Sequence, residues 1–146
     1  MNDDILKLDN QLCFALYSCS KEIIKKYTPI LNQFGITYTQ YIALLALWEE
    51  DNIMVKDLGA KLYLGSNTLT PVLKKLEELG LVTRTRHKDD ERNVYIKLTM
   101  KGIDMKKQAI VIPQEAFCHT GLSIEELRNI RESLKLLLGN LLNDGN

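Results

Sequence analysis

The sequence predicts an all-α fold with a small β-wing, and two features between residues 55 and 99 indicate it. The first is a pair of helices, 55–62 and 66–79, in which leucines recur at helical spacing and only three residues intervene. The second is a β-hairpin directly behind that pair. A short helix, a tight turn, a second helix and a hairpin together predict a winged helix-turn-helix.

The hairpin is predicted from the residues behind Gly80, which ends the second helix. Residues 81–86 and 93–98 alternate apolar and polar side chains, as two paired strands do. Residues 87–92, which read His-Lys-Asp-Asp-Glu-Arg, form the expected tip. The result is a two-stranded wing with charges at its end.

The start of the second helix is less regular. Ser66 is the expected N-cap, but Pro71 would cost about 3 kcal/mol in a helix interior and is tolerated only in a first turn. We therefore expect the regular helix to begin nearer Thr70 than Ser66.

Apolar helices precede this unit. Residues 5–27 place apolar side chains at helical spacing on more than one face, which is typical of a helix that a partner subunit covers. Pro29 can open a further turn. Thr37 and Gln40 then form a predicted capping box, with Thr39 as an alternative cap. They precede the nearly all-apolar run 41–48, a central helix packed on several sides.

Further helices follow the wing. Thr99 is the expected cap of the first of them, and Pro113 interrupts it. Ser123 and Glu126 form a second predicted capping box. The last helix continues to about residue 142 with an apolar stripe that is heavy for a terminal helix.

Composition narrows the class of protein. With 146 residues, 45% of them hydrophobic and 26% charged, the chain is one globular domain or one subunit. It has no apolar run of the roughly 18 residues that cross a bilayer, and its N-terminus is unlike a signal peptide. We therefore expect a cytoplasmic protein without a membrane partner. The net charge is zero, yet residues 74–107 carry more basic than acidic side chains, which leaves DNA binding open.

The cysteines and histidines do not suggest a metal site. Cys13, Cys19 and Cys118 include no Cys-x-x-Cys pair, and His87 and His119 are isolated. An odd number of cysteines in a cytosolic chain is also no structural disulfide framework. We therefore predict no metal and no cofactor.

The second helix and the hairpin carry the candidate DNA contacts. Small polar side chains on the helix suit base edges in a major groove, and lysines near its end suit phosphates. Basic side chains on the hairpin suit the DNA backbone or a minor groove. These candidates are Ser66, Asn67, Thr68, Thr70, Lys74 and Lys75 on the helix, and Arg84, Arg86 and Lys88 on the hairpin. By pattern alone, the same residues also suit a solvated helix face and an ordinary charged hairpin.

Residues 89–99, Asp-Asp-Glu-Arg-Asn-Val-Tyr-Ile-Lys-Leu-Thr, resemble the D-x-R-x5-L-T wing of the MarR family of bacterial repressors. The upstream runs LLALWEE and LGAKLYLGSNTLTPVLKKLEELGLVTR fit the same family. The resemblance implies DNA binding, with Arg92 serving the wing and Asp90 orienting it.

The same resemblance implies how the chain is organised. Residues 1–146 would form a single subunit of an intertwined homodimer. Residues 1–36 and 100–146 would interlock the two subunits, and residues 37–99 would bind double-stranded operator DNA. The heavy apolar stripes at both ends of the chain fit that arrangement.

Cys13 lies in a predicted helix among apolar neighbours, and by pattern alone it is a small buried hydrophobic side chain. NQLCFALY, Tyr27 and ITYTQY, however, resemble the OhrR branch of the MarR family, which senses organic hydroperoxides. That resemblance implies that Cys13 is the peroxide sensor and that the hydroxyls of Tyr27 and Tyr38 hold its sulfur. A hydroxyl that donates to sulfur favours the reactive thiolate, and sulfenic acid is the first oxidation product.

Cys118 is incidental by pattern alone. In two-cysteine members of the OhrR branch, however, a C-terminal cysteine of the partner subunit resolves the sulfenic acid as a disulfide. The resemblance therefore implies an intersubunit link between Cys13 and Cys118. Cys19 follows Cys13 by six residues, about 600° and ~9 Å along a helix, so it cannot bridge Cys13 without unwinding. We assign Cys19 to packing.

The sequence is therefore interpreted as a redox-sensing repressor that binds operator DNA as a reduced dimer and leaves it when organic hydroperoxide oxidises Cys13. Two alternatives stay open. One is a MarR repressor that binds a small aromatic effector, with Cys13 merely buried. The other is an enzyme, a thiol peroxidase, although no Thr/Arg constellation surrounds Cys13 and a peroxidase has no use for a wing.

Overall fold

The computed structural model describes residues 3–87 and 89–143, and for His87 and residues 90–92 it describes only the backbone. The helices in this part of the chain are α1 Leu12–Asn32, α2 Tyr38–Glu49, α3 Val55–Leu62, α4 Ser66–Glu78, α5 Met100–Ala109, α6 Val111–Cys118 and α7 Ile124–Asn143. The strands β1 Ile53–Met54, β2 Val82–His87 and β3 Asp90–Leu98 pair antiparallel in the order β1-β3-β2. The predicted fold class, mostly helical with a small β-wing, is confirmed.

The N-terminal helix begins and ends later than the sequence predicted. Residues 3–10 form two short 3-10 turns, and α1 starts only at Leu12. The side-chain amides of Asn10 and Gln11 each donate to a backbone carbonyl six residues upstream, at 2.7 Å. Such bonds offer the backbone an alternative to helix, which explains the late start of α1.

Pro29 and Pro113 do not divide helices where the sequence predicted. Pro29 lies inside α1, which continues to Asn32. Pro113 is the third residue of α6, in a first turn, where the missing N–H has no helical partner to lose. The break after α5 falls earlier, at Ile110.

Helix α4 begins earlier than the sequence predicted. Gly65 is its N-cap, so Ser66 is the first helical residue and not the cap. The helix therefore begins four residues before Thr70, the start that Pro71 suggested. Pro71 is accommodated in the helix interior. Three fully buried leucines on the inner face of α4 offset its cost, because each contributes roughly 1.5–3 kcal/mol.

The other predicted helix caps, at Thr37, Thr99 and Ser123, were correct. Thr37 and Gln40 form the predicted capping box: the N–H of Gln40 donates to the Thr37 hydroxyl oxygen at 3.4 Å, and the N–H of Thr37 donates to the Gln40 amide oxygen at 3.0 Å. Ser123 and Glu126 form the second box, with distances of 2.7 and 3.1 Å. Thr99 caps α5 as predicted.

The sheet is larger than the predicted hairpin. Strand β1, which the sequence analysis missed, pairs Ile53 with Ile96 on the outer side of β3. Two residues are too few to reveal an alternating pattern. Residues 90–92 belong to β3, so the strands extend into the region predicted as tip, with a register irregularity at Arg86 and His87.

Helix α2 is the centre of the core, as its apolar sequence predicted. It packs against α1, α3, α4 and α5. Its side chains Ala43, Leu44 and Leu47 are fully buried. At its C-terminal end, the indole N–H of Trp48 donates to the backbone carbonyl of Gly102 at 2.9 Å. This bond ties α2 to the start of α5, directly behind the wing.

Gly102→Ala is expected to destabilise the fold by about 3 kcal/mol, the upper end of overpacking costs. A Cβ atom at position 102 would stand 2.3 Å from the backbone carbonyl oxygen of Leu81, which cannot move without distorting the sheet. Urea unfolding, followed by the fluorescence of the single tryptophan, measures the change. Gly65→Ala is the control, because nothing lies within 4 Å of its Cβ position. Equal midpoints for both variants would contradict the close approach at Gly102.

Candidate DNA-binding surface and thiol site

The turn between α3 and α4 requires particular residues. Tyr63 ends α3 in the left-handed conformation, at φ 56° and ψ 36°. The N–H of Leu64 donates to the carbonyl of Gly59 at 3.0 Å and closes the turn. A Cβ atom on Gly59 would meet the Leu64 carbonyl oxygen at 2.9 Å, so the turn depends on glycine there. This geometry sets how α4 projects from the domain.

Helix α4 exposes the face that the sequence assigned to DNA. Its inner face buries Leu69, Leu73 and Leu76. All six polar candidates on the helix are exposed: Ser66, Asn67, Thr68, Thr70, Lys74 and Lys75. Lys75 also lies 3.8 Å from Glu78, one turn on. The exposure makes these side chains available to a ligand, and their contact with DNA stays a prediction.

In the wing, Arg84 has a partner within the protein. Its guanidinium donates to one carboxylate oxygen of Glu77 at 3.2 Å, and its backbone N–H donates to the other, also at 3.2 Å. The hydrogen bond from the Arg84 side chain holds the pKa of Glu77 below its ordinary value of 4.5. Glu77 belongs to α4, so these hydrogen bonds to its carboxylate link β2 to the candidate recognition helix.

A groove of about 790 Å³ lies between α3, α4 and the wing. Seven polar side chains among the described residues line it: Lys56 and Tyr63 from the α3 region, Ser66 and Thr70 from α4, Arg84 and Arg86 from β2, and Asn93 from β3. The structure thus brings four predicted DNA-binding residues to one surface. Lys74 and Lys75 do not line the groove. Lys88 and the side chains of Asp90 and Arg92 lie outside the described residues, so their predicted roles stay predictions.

The three thiols are free and exposed in the single chain. Cys13 is the second residue of α1, and its neighbours Leu12, Phe14 and Tyr17 are also exposed. Within one subunit, Cys13 is therefore exposed and is not the buried hydrophobic side chain that pattern alone indicated. Cys118 is the last residue of α6.

Tyr27, Tyr38 and Tyr41 form a cluster where α1 meets α2. The rings of Tyr27 and Tyr38 are edge to face, with centroids 5.1 Å apart, and Tyr41 lies 6.0 and 6.2 Å from them. Burial raises the pKa of all three hydroxyls, that of Tyr41 to about 12. The three phenols therefore stay protonated and able to donate at physiological pH. Tyr41 was not among the sequence-predicted site residues, although its spacing of three from Tyr38 on a helix indicates the contact.

Cys13 and Tyr27 are far apart within one subunit. Both lie on α1, fourteen residues apart, and a helix rises ~21 Å over that length. Tyr38 packs on Tyr27 and is equally remote from the thiol. The structure therefore brings Tyr27 and Tyr38 together, as the sequence predicted, but it does not bring them to the Cys13 of the same chain.

Comparison with known proteins places the chain in a family. The family model described as transcriptional regulator SarA/Rot matches residues 25–109. The chain is 47% identical over 138 residues to the organic hydroperoxide resistance transcriptional regulator of Bacillus subtilis (strain 168), covering 94% of each protein. It is 50% identical over 128 residues to the HTH-type transcriptional regulator SarZ of Staphylococcus saprophyticus, covering 88% of each. The chain belongs to the MarR family of transcriptional regulators, in the OhrR branch.

Solved structures of AbfR from Staphylococcus epidermidis resemble this OhrR-branch regulator. Reduced AbfR bound to DNA has a TM-score of 0.78 at 38% identity, covering 97% of this chain and 99% of that one. Overoxidised AbfR bound to DNA also gives 0.78, at 37% identity and the same coverage. Disulfide-formed AbfR gives 0.66 at 37% identity, covering 98% and 97%. The subunit described here is therefore closer in conformation to the DNA-bound forms than to the disulfide form.

Membership of the OhrR branch settles the broad class of protein. The chain is a DNA-binding transcriptional regulator and not an enzyme, so the thiol peroxidase alternative is wrong. Among the described residues, none of the helices is long and apolar enough to cross a membrane.

Glu77→Gln is expected to lower the stability of this OhrR-branch regulator at pH 7 by less than about 1 kcal/mol, since the ion pair with Arg84 is 33–40% exposed and water screens it. The folded-state pKa of Glu77 is lowered, so the pair stabilises the fold above pH 4.5 and loses that effect as pH falls through the lowered pKa. Urea midpoints of wild type and variant should therefore differ at pH 7 and converge as the pH falls below the lowered pKa of Glu77.

Glu78→Gln is the control, because Glu78 is more exposed than Glu77 and lies 3.8 Å from its cation, compared with 3.2 Å between Glu77 and Arg84. Its effect should be the smaller of the two. A Glu77→Gln difference that persists below the lowered pKa of Glu77 would mean that the ionised pair is not its cause.

Proposed function

We propose that the chain is a redox-controlled repressor, which binds operator DNA as a reduced homodimer and leaves it when an organic hydroperoxide oxidises Cys13. The observation that carries the proposal is an exposed thiol set among exposed apolar side chains, in a DNA-binding regulator. The likeness to a regulator of organic hydroperoxide resistance supports the choice of oxidant. Apolar surroundings favour an organic hydroperoxide over hydrogen peroxide.

The homodimer is proposed from apolar surface that one chain leaves uncovered. Helix α7 has 20 residues and buries none of them in a single subunit. An isolated helix of that kind is marginal in water, and a partner that covers its apolar face stabilises it. The other exposed apolar side chains at the chain ends include Ile5, Leu6, Leu8, Leu12, Phe14, Ile23 and Ile24 near the N-terminus, and Ile130, Leu134, Leu138 and Leu141 on α7. We assign residues 1–36 and 100–146 to dimerisation and residues 37–99 to DNA.

In this dimer, the tyrosines that activate Cys13 belong to the other subunit. The ~21 Å between Cys13 and Tyr27 along α1 excludes a contact within one chain. Tyr27 and Tyr38 of the partner subunit can reach the thiol if the two α1 helices run past each other in opposite directions. Their raised pKa keeps both hydroxyls as donors. A donor to sulfur stabilises the thiolate, the form that attacks peroxide.

The chemistry has two steps. The Cys13 thiolate attacks the terminal oxygen of the hydroperoxide, the O–O bond breaks, and the products are a sulfenic acid and, after protonation, an alcohol. The Cys118 thiolate of the partner subunit then attacks the sulfenic sulfur, and hydroxide leaves as a disulfide forms. A cellular thiol reductant returns both cysteines to the reduced state. Cys19 lies ~9 Å from Cys13 along the same helix and cannot take this part without unwinding α1.

The disulfide, and not the oxygen on Cys13, is proposed as the releasing event. Two likenesses support this choice: overoxidised AbfR is bound to DNA, and disulfide-formed AbfR is the less similar conformation. In the DNA-bound dimer the two α4 helices should lie about one DNA turn apart, ~34 Å. If the disulfide stabilises a dimer with misaligned α4 helices by ~3 kcal/mol relative to the DNA-binding dimer, the affinity for DNA falls more than 100-fold.

Cys13→Ser should keep its operator affinity after treatment with cumene hydroperoxide, whereas treated wild type should lose more than 100-fold, because only wild type can form the sulfenic acid. Fluorescence anisotropy with labelled operator duplex measures both. Cys19→Ser, an exposed cysteine on the same helix, is the matched control and should respond as wild type does. Retention of DNA by oxidised wild type would refute redox sensing, and release by Cys13→Ser would place the sensor elsewhere.

Cys118→Ser should form no covalent dimer on a non-reducing gel after oxidation, and it should stay on the operator, because the sulfenic acid then has no resolving thiol. Wild type should run as a covalent dimer under the same conditions and return to monomer with dithiothreitol. If the covalent dimer persists in Cys118→Ser, the resolving thiol is Cys19 or a second Cys13, and the assignment to Cys118 fails.

A further inference from the structure

We propose that Tyr63, the residue on which the chain turns between α3 and α4, donates a hydrogen bond from its phenol hydroxyl to a phosphate of the bound DNA. The residue was not among the sequence-predicted contacts. The inference rests on the proposed binding of operator DNA and adds one specific contact to it.

The backbone of Tyr63 is in a conformation that its side chain disfavours. At φ 56° it occupies the left-handed region, where a Cβ atom crowds the following carbonyl. Helices that end this way usually have glycine at the left-handed position, since glycine bears no such cost. The other non-glycine residue with positive φ among the described residues is Asn52, a type that tolerates this region. The turn needs the left-handed conformation, but it does not need a tyrosine.

The ring of Tyr63 gains little from the protein itself. The residue is 65% exposed, so it is no part of the core. Its hydroxyl makes no hydrogen bond to any residue that the structure describes, and its ring makes no aromatic contact there. A strained, exposed tyrosine without an internal partner indicates a use outside the subunit.

The surroundings of Tyr63 select a phosphate as that partner. The groove that it lines also contains Lys56, Arg84 and Arg86, and no acidic side chain is among the described residues of its lining. The same groove is lined by Ser66 and Thr70 of the candidate recognition helix. A basic groove with a phenol donor beside a recognition helix suits the DNA backbone, to which tyrosine hydroxyls commonly donate.

Two substitutions distinguish the contribution of the Tyr63 hydroxyl to DNA binding from the effect of its strained backbone on stability. Tyr63→Phe should raise the Kd for operator roughly tenfold, because each of the two subunits loses a hydrogen bond worth about threefold. A non-operator duplex of equal length should weaken by the same factor, since a phosphate contact is independent of sequence. The slope of log Kd against log salt should not change, since no charge is removed. Tyr63→Gly should weaken DNA binding at least as much and yet raise Tm, because it relieves the left-handed strain.

Thr83→Val is the control, since it removes an exposed hydroxyl on β2 that does not line the groove. Its DNA affinity should equal that of wild type. Wild type is titrated first: failure to bind operator would refute the proposed function itself. If wild type binds and Tyr63→Phe binds equally well, only the phosphate contact is refuted. If Tyr63→Phe weakens binding to the operator but not to the other duplex, the hydroxyl contacts a base and not a phosphate. If Tyr63→Gly lowers Tm, the tyrosine ring stabilises the fold. Either result overturns the proposal.

Discussion

Cys13 and Tyr27 lie on one continuous helix, and the ~21 Å of rise between them constrains every account of how this regulator senses an oxidant. A sulfur atom and a phenol at that separation cannot share a hydrogen bond within one subunit. The thiol end of α1 is also the end whose apolar side chains are exposed in a single chain. The proposed dimer satisfies both facts, because in it a second copy covers the apolar side chains and supplies the phenols. Sensing and dimerisation then depend on the same surface.

The tyrosine cluster is connected to the wing through α2. Tyr38 and Tyr41 lie near the N-terminal end of this helix, and Trp48 lies near its C-terminal end. The Trp48 indole bonds to Gly102 behind the wing, and the Asp51 carboxylate accepts the N–H of Leu98 in β3 at 2.8 Å. The packed helix α2 and these two hydrogen bonds thus form a continuous set of contacts from the tyrosine cluster to the wing.

Sequence predicted those parts of the fold that local chemistry decides. The capping boxes at Thr37 and Ser123 were correct because their signal is contained in four consecutive residues. The bounds of α3 were also correct. The predictions were wrong where contacts between residues distant in the sequence determine the structure. Pro71 lies within α4 because buried leucines outweigh its local cost, and β1 exists only because β3 pairs with it.

The candidate site divides in the same way. The exposed face of α4 and the pairing of Tyr27 with Tyr38 followed from spacing and from family resemblance. The ion pair of Arg84 with Glu77 did not, since no local pattern relates a strand residue to a helix residue seven positions earlier. Nor did the strain at Tyr63, because sequence alone does not state which residue of a turn takes positive φ.

The size of the covalent change is the reason why the proposed mechanism uses a disulfide, and not a single oxygen atom, as its signal. A sulfenic acid on Cys13 adds one polar group at a position that is exposed in the subunit, and the hydrogen bonds it alters are worth about 1 kcal/mol each. Release of DNA by more than 100-fold requires a difference of ~3 kcal/mol between two dimer conformations. A disulfide requires the Cα atoms of its cysteines to approach within about 7 Å. Cys13 and Cys118 lie at ends of different helices, α1 and α6. The proposed bond between subunits would therefore fix how these helices meet and would favour one dimer conformation over the other.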